Sequence, residues 1–202
     1  MLSPSFSPPS PLAVVNAAIT EIKTRARLLL NGLETDQPQA MARAQHISHK
    51  RRWAIPPTWQ LRHCLNIVAA EAGFALWDQA RSVLGGEARA GDDMGDFWCE
   101  TEASAFLNHW YADYALALDC LHKESRRFLL PYRRQFVVAG EFYVQHLGLV
   151  PDDAAWPAMG HDLVAGYGSA GWRHLCDQRL RARPPALPQI KPRRSGRGVA
   201  RG

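Results

Sequence analysis

The residues best suited to acid-base chemistry are His109 and Asp113, which are four positions apart. On a helix this spacing places an imidazole and a carboxylate within pairing distance, so that one can orient the other for proton transfer. Arg133 and Arg134 follow and could bind an anionic ligand. An enzyme pocket would contain such residues, but so would an exposed helix face beside a solvated loop. Because the sequence lacks a nucleophile motif or a phosphate-binding glycine loop, we rank catalysis last among three hypotheses.

Metal-ligating residue types are present, but their spacing does not define a site. His46 and His49 are one helical turn apart and could share a face of a helix. Two ligands are fewer than a zinc site needs. No CxxC pair occurs among the four cysteines, which are widely spaced at Cys64, Cys99, Cys120 and Cys176. We therefore expect no metal, no cofactor, and reduced thiols in a cytoplasmic protein.

Positive charge is concentrated late in the sequence. The net charge is +5, yet the stretch from Arg179 onward holds eight basic residues and no acidic one. Positions 1–178 then contain 16 basic and 19 acidic residues, a net charge of −3. A shorter basic run closes the second predicted helix. Since phosphate backbones attract lysine and arginine whatever the base sequence, the candidate nucleic-acid-binding residues are Lys50, Arg51, Arg52, Lys191, Arg193, Arg194, Arg197 and Arg201.

Hydrophobic periodicity predicts a mainly α fold for the segment that carries the shorter basic run. Apolar residues recur at helical spacing from Val15 to Leu33, and three further helices are predicted at 36–52, 58–72 and 74–84. The stretch GGEARAGDDMG (85–95) holds four glycines and few apolar residues. This composition predicts a flexible link after the fourth helix.

Beyond the link, the pattern predicts a second helical unit that contains a short β element. A long helix is predicted from Ala103 to Leu121, and it would carry His109 and Asp113. In 128–139 two β-favouring apolar runs flank a proline and a polar RRQ, which predicts a hairpin or an extended pair. The predicted organisation is a disordered N-terminus (1–12), a helical unit (13–86), a flexible link (87–95), a helical unit with a short β element (96–180) and a disordered basic tail (181–202).

One segment resembles a known module. The sequence LRHCLNIVAAEAGFALWDQARSVL, preceded by the basic EIKTRARLLLNGL helix, is similar to the small helical module attached to glyoxalase-superfamily-related bacterial proteins. The resemblance covers about residues 15–85. It implies a helical, adaptor-like module without catalysis, because the metal-binding βαβββ units of glyoxalases have no counterpart in this sequence. No functional residue carries over.

Three functional hypotheses remain open. The first is a non-enzymatic binding or accessory protein that contacts DNA or RNA through its basic tail, assisted by the 49–52 run. Trp53 and Trp59 lie beside that run and could mark an exposed partner surface. The second hypothesis is a protein-protein adaptor, and the third is the enzyme described above. We expect no membrane partner, because no stretch approaches the roughly 18 apolar residues of a membrane span and residues 1–11 lack the basic start of a signal peptide.

Overall fold

The computed structural model describes residues 16–99 and 106–183. Within these ranges the chain forms eight helices and one three-stranded antiparallel sheet. The helices are α1 (Ala17–Glu34), α2 (Pro38–Arg51), α3 (Leu61–Glu71), α4 (Trp77–Gly85), α5 (Tyr114–Lys123), α6 (Glu141–His146), α7 (Ala155–Ala158) and α8 (Ala170–Ala182). The strands are β1 (His109–Tyr111), β2 (Arg127–Tyr132) and β3 (Gln135–Gly140). The predicted mainly α fold with a short β element is confirmed.

The first four helices form because each has an apolar stripe and a defined start or stop. In α1 the buried residues include Ile22, Ala26 and Leu29, which recur every three or four positions as one face of a helix requires. The Asn16 side chain accepts a hydrogen bond from the Ile19 amide at 3.1 Å, and its own amide donates to the Leu84 carbonyl at 2.7 Å. This one residue caps α1 and joins it to the end of α4.

Strands β2 and β3 form the predicted hairpin. They pair from Arg127 with Gly140 to Tyr132 with Gln135, so the loop consists of two arginines, Arg133 and Arg134. Successive residues of the hairpin face opposite sides of the sheet, as expected for a strand. Leu130 lies in the main core, while its neighbour Leu129 packs in a smaller cluster with α5.

The main core draws buried side chains from both sides of the 87–95 segment. The 13–86 segment contributes residues such as Ile22 and Phe74, and 96–180 contributes Trp98 and Trp172, all in one cluster. The rings of Trp98 and Trp172 pack edge to face, with their centroids 5.3 Å apart. The segments predicted as two helical units therefore share one hydrophobic core.

The long helix predicted over Ala103–Leu121 is wrong for the part that the structure describes. His109–Tyr111 instead forms the edge strand β1, in which Trp110 pairs with Val137 of β3. Asp113 then starts the separate helix α5, because its carboxylate accepts a hydrogen bond from the Leu116 amide at 3.0 Å. The backbone groups of β1 are hydrogen-bonded to β3, a partner that the local sequence pattern of 103–121 does not reveal.

The predicted disordered ends lie outside the described residues apart from 181–183. Helix α8 continues to Ala182, so the predicted boundary of the tail at 181 falls two residues inside a helix. Residues 87–95, the predicted flexible link, contact the rest of the chain at several points. The Ala88 amide donates to the Tyr167 hydroxyl at 2.9 Å, and the Met94 amide donates to the Arg133 carbonyl at 2.9 Å.

Candidate nucleic-acid interface

The shorter basic run occupies the last turn of α2 and its cap. Lys50 and Arg52 are exposed, whereas Arg51 is half-buried. Arg52 ends the helix in the left-handed conformation, with φ of 57°. Positive side chains at a helix C-terminus interact favourably with its exposed carbonyl groups, which explains why the run can stand at this position.

Arg51 turns back into the protein and binds the end of α3. Its Nη2 donates to the Phe74 carbonyl at 2.8 Å and lies 3.4 Å from the Ala70 carbonyl. Ala70 belongs to the last turn of α3, and Phe74 follows the end of that helix. Arg51 therefore holds the end of α2 against the end of α3 and has a structural role beside any contact with a ligand.

Arg25 of α1 makes the corresponding contact with the end of α8. Its guanidinium donates to the carbonyl oxygens of Leu180 and Arg183, each at 2.7 Å, and its Nε donates to Glu21 at 2.6 Å. The contact fixes the point at which the chain leaves α8. These hydrogen bonds join residues 155 or more positions apart and hold the end of α8 next to α1.

These two contacts border one cleft of about 170 Å³. Within the described ranges, its Lys, Arg, Asp and Glu lining consists of four basic side chains and one carboxylate, which are Arg25, Lys50, Arg51, Arg183 and Glu71. Glu71 is paired with Arg43, whose Nε lies 2.6 Å from one carboxylate oxygen and whose Nη2 lies 2.5 Å from the other. The cleft therefore has a net positive charge and attracts anions.

Arg183 adds an unpaired donor to this cleft. Its Nη1 is shielded from solvent and has no hydrogen-bond partner among residues 16–99 and 106–183. Buried guanidinium nitrogens normally have an acceptor, so this unsatisfied nitrogen is an unusual feature beside the cleft.

The structure brings together only part of the predicted nucleic-acid-binding set. Lys50 and Arg51 line the cleft, and Arg52 lies at the adjoining surface of α2. The tail candidates, which lie outside the described residues, are Lys191, Arg193, Arg194, Arg197 and Arg201. Arg25 and Arg183 were not predicted as members of this site, since their approach depends on how α1 packs against α8.

Trp53 and Trp59 lie on the other side of the end of α2. Both are half-buried and pack against the main core, so they are less exposed than expected. Together with Pro56 they line a cleft of about 200 Å³. Each indole still has a partly accessible surface beside the basic run, and base stacking there stays a prediction.

The acid-base pair proposed from the sequence does not form. His109 lies exposed in β1, and the Asp113 carboxylate caps α5 instead of pairing with the imidazole. Arg133 and Arg134 line a different cleft, to which neither His109 nor Asp113 contributes. Arg133 is already bound by Asp96, with its Nε 2.7 Å from one carboxylate oxygen. The structure thus keeps His109 and Asp113 apart from each other as a pair and outside the cleft that Arg133 and Arg134 line.

The cysteines and histidines form no metal centre in the described ranges. No three side chains of the ligand types gather there, and all four cysteines are unbridged. Burial raises the pKa of the Cys64 thiol to about 11 and that of Cys176 well above its usual range, so both are protonated at neutral pH.

None of the helices in the described ranges is both long enough and apolar enough to cross a membrane.

Comparison with protein-family models, with curated proteins and with solved structures finds no match. The resemblance of residues 15–85 to the helical module of glyoxalase-related proteins therefore stays a prediction.

Proposed function

We propose that this protein is a non-enzymatic accessory protein that binds DNA or RNA without regard to base sequence. The observation that supports this function best is the basic cleft, where Lys50 and Arg51 of α2 meet Arg183 at the end of α8. The basic run of α2 thus lines the same cleft as Arg183, the last described residue before the basic segment of the sequence. A phosphate in the cleft would accept hydrogen bonds from Arg183 and Lys50, and neighbouring phosphates would lie against the tail.

The physical basis of the proposed binding is charge. Each phosphate neutralised by lysine or arginine releases condensed counterions. For duplex DNA, each such phosphate therefore contributes about −0.9 to the slope of log binding constant against log salt concentration. The segment 184–202 carries five basic residues and no acid. Extended from Arg183, a segment of this length reaches roughly 60 Å, enough to follow a nucleic-acid backbone well beyond the cleft.

The proposed function is tested by fluorescence anisotropy with labelled duplex DNA, single-stranded DNA and RNA at about 50 mM and about 200 mM salt. Full-length protein is compared with a version ending at Arg183, which keeps α8 and its contacts with Arg25. We expect the full chain to bind all three ligands, and loss of the tail to lower the salt slope by up to about 4. Absence of binding by the full chain at low salt would exclude the proposal.

A protein-protein adaptor is the second candidate, and one surface supports it. Leu28 of α1 is 65% exposed and lines a cleft of about 460 Å³ between α1, α3 and α4. Trp77 lines the same cleft, and an aromatic side chain beside an exposed leucine is typical of a protein contact. Under either proposal the unbridged thiols favour a cytoplasmic location.

A further inference from the structure

A second cleft, separate from the basic one, has the size and lining of a small-molecule site. Its volume is about 360 Å³, within the range in which drug-sized ligands bind. It lies between the 88–94 loop, the tip of the β2–β3 hairpin, the start of α5 and the 164–167 segment. The apolar part of its lining includes Met94, Tyr114, Pro131, Phe136, Val164 and Tyr167.

The walls of this cleft are tied together by hydrogen bonds. The Tyr167 hydroxyl accepts from the Ala88 amide at 2.9 Å and lies 3.0 Å from the Val83 carbonyl, which holds the start of the 88–94 loop. The Met94 amide donates to the Arg133 carbonyl, and the Arg133 amide donates to the Gly95 carbonyl, both at 2.9 Å. The loop is thus tied at its start to Tyr167 and at its end to the hairpin tip, and a ligand would meet a preformed site.

Most polar groups around the cleft are already satisfied within the protein. The Tyr114 hydroxyl donates to Asp162 at 2.7 Å, and the other Asp162 oxygen accepts from the Val164 amide at 2.7 Å. Arg133 forms an ion pair with Asp96, which raises the pKa of Arg133. These tyrosines and this arginine therefore present chiefly their apolar or neutralised surfaces to a ligand.

Two cationic groups remain unpaired at the rim. Among the described residues, the side chains of Arg89 and Arg134 have no hydrogen-bond acceptor and no carboxylate partner, and both residues are exposed. Asp92 is the one acidic residue in the described part of the lining, and its carboxylate accepts from the Arg89 backbone amide at 2.8 Å. An aromatic apolar floor below free guanidinium groups complements a flat ring that carries an acidic group.

We propose that this cleft binds a small aromatic anion, with its ring against Phe136 and Tyr167 and its carboxylate or sulfonate at Arg89 and Arg134. The proposal is independent of the nucleic-acid function, because none of these residues lines the basic cleft. The sequence suggested Arg133 and Arg134 as an anion pocket. The present proposal keeps Arg134 but replaces Arg133, which is paired with Asp96, by Arg89.

The probe for this site is 8-anilinonaphthalene-1-sulfonate, an aromatic anion whose fluorescence rises in apolar surroundings. Its neutral counterpart is N-phenyl-1-naphthylamine. Both are titrated into the full chain and into the double variant Arg89→Gln/Arg134→Gln. We expect the variant to bind the anion about tenfold more weakly, because charge-assisted hydrogen bonds are lost. Binding of the neutral probe should remain within about twofold, since the apolar floor is unchanged.

The matched control is Lys23→Gln/Arg27→Gln, which removes two positive charges beside the apolar cleft at Leu28 and Trp77. It should bind the anion as the native chain does. Equal anion affinity in the Arg89/Arg134 variant and the native chain would overturn the proposal. Equal weakening by the control would overturn it as well, and so would parallel loss of both probes in the Arg89/Arg134 variant.

Discussion

Arg43 of α2 and Glu71 of α3 form a two-pronged ion pair in which both side chains are nearly buried, with 10% and 9% of their surface exposed. The pair joins two helices of the main core. Among the residues that the structure describes, Glu71 is also the one carboxylate in the lining of the basic cleft, so its pairing with Arg43 affects both the stability of the fold and the charge of the candidate interface.

Replacing Arg43 by methionine should destabilise the protein strongly. Arg43→Met leaves the Glu71 carboxylate buried without its partner, which costs about 3 to 5 kcal/mol of unfolding free energy. Urea denaturation measures this loss. The control Arg81→Met alters an exposed arginine of α4 and should change the free energy by less than about 0.5 kcal/mol. Similar small effects from both variants would show that the ion pair contributes little.

Stability should fall at alkaline pH because of Cys64. Burial raises the pKa of its thiol from 9.0 to about 11, so the folded state holds the proton more tightly than the unfolded state does. The contribution of this protonated thiol to the free energy of unfolding is therefore complete below pH 9. It declines by about 2 to 3 kcal/mol as pH rises toward 11. Urea titrations from about pH 8 to 11 should show a shallower decline in Cys64→Ala than in Cys120→Ala, which retains the buried thiol. Parallel declines would argue against a raised pKa at Cys64.

Substitution of two glycines with positive φ separates the cost of steric crowding from the cost of backbone strain. Gly86 has φ of 79°, and a Cβ added there would lie 2.9 Å from the Gly168 Cα. Gly91 has φ of 87°, but a Cβ there would meet nothing within 4 Å. We expect Gly91→Ala to cost about 1 kcal/mol and Gly86→Ala about 2 to 3 kcal/mol, measured by urea denaturation. A cost for Gly91→Ala as large as that for Gly86→Ala would mean that crowding at Gly168 is unimportant.

The sequence was sufficient for elements whose own residues determine them. The four N-terminal helices follow from their apolar stripes, and the hairpin follows from two β-favouring runs around Arg133 and Arg134. The sequence was misleading near Trp110, where the helical spacing of aromatic residues concealed an edge strand. Strand β1 exists because β3 offers it backbone partners, and these lie 25 or more positions away.

The candidate interface could be predicted only in part for the same reason. The charge of Lys50 and Arg51 is evident from the sequence, as is the excess of positive charge after Arg179. The meeting of Lys50 and Arg51 with Arg183 in one cleft is not, since it requires Arg25 to hold the end of α8 from 155 residues away. The pairing of Arg43 with Glu71, which leaves the cleft positive, is likewise a product of tertiary packing.

The most direct test of the nucleic-acid interface is the salt dependence of duplex DNA binding by Lys50→Gln/Arg183→Gln in the full chain. These substitutions spare Arg25 and Arg51, whose contacts hold the helix ends. We expect the slope of log binding constant against log salt to become less steep by about 2. Each lost cation leaves about one more counterion on the DNA when the protein binds. Lys23→Gln/Arg27→Gln removes the same charge elsewhere and should keep the native slope. Identical slopes for the two variants would contradict a specific role for the basic cleft.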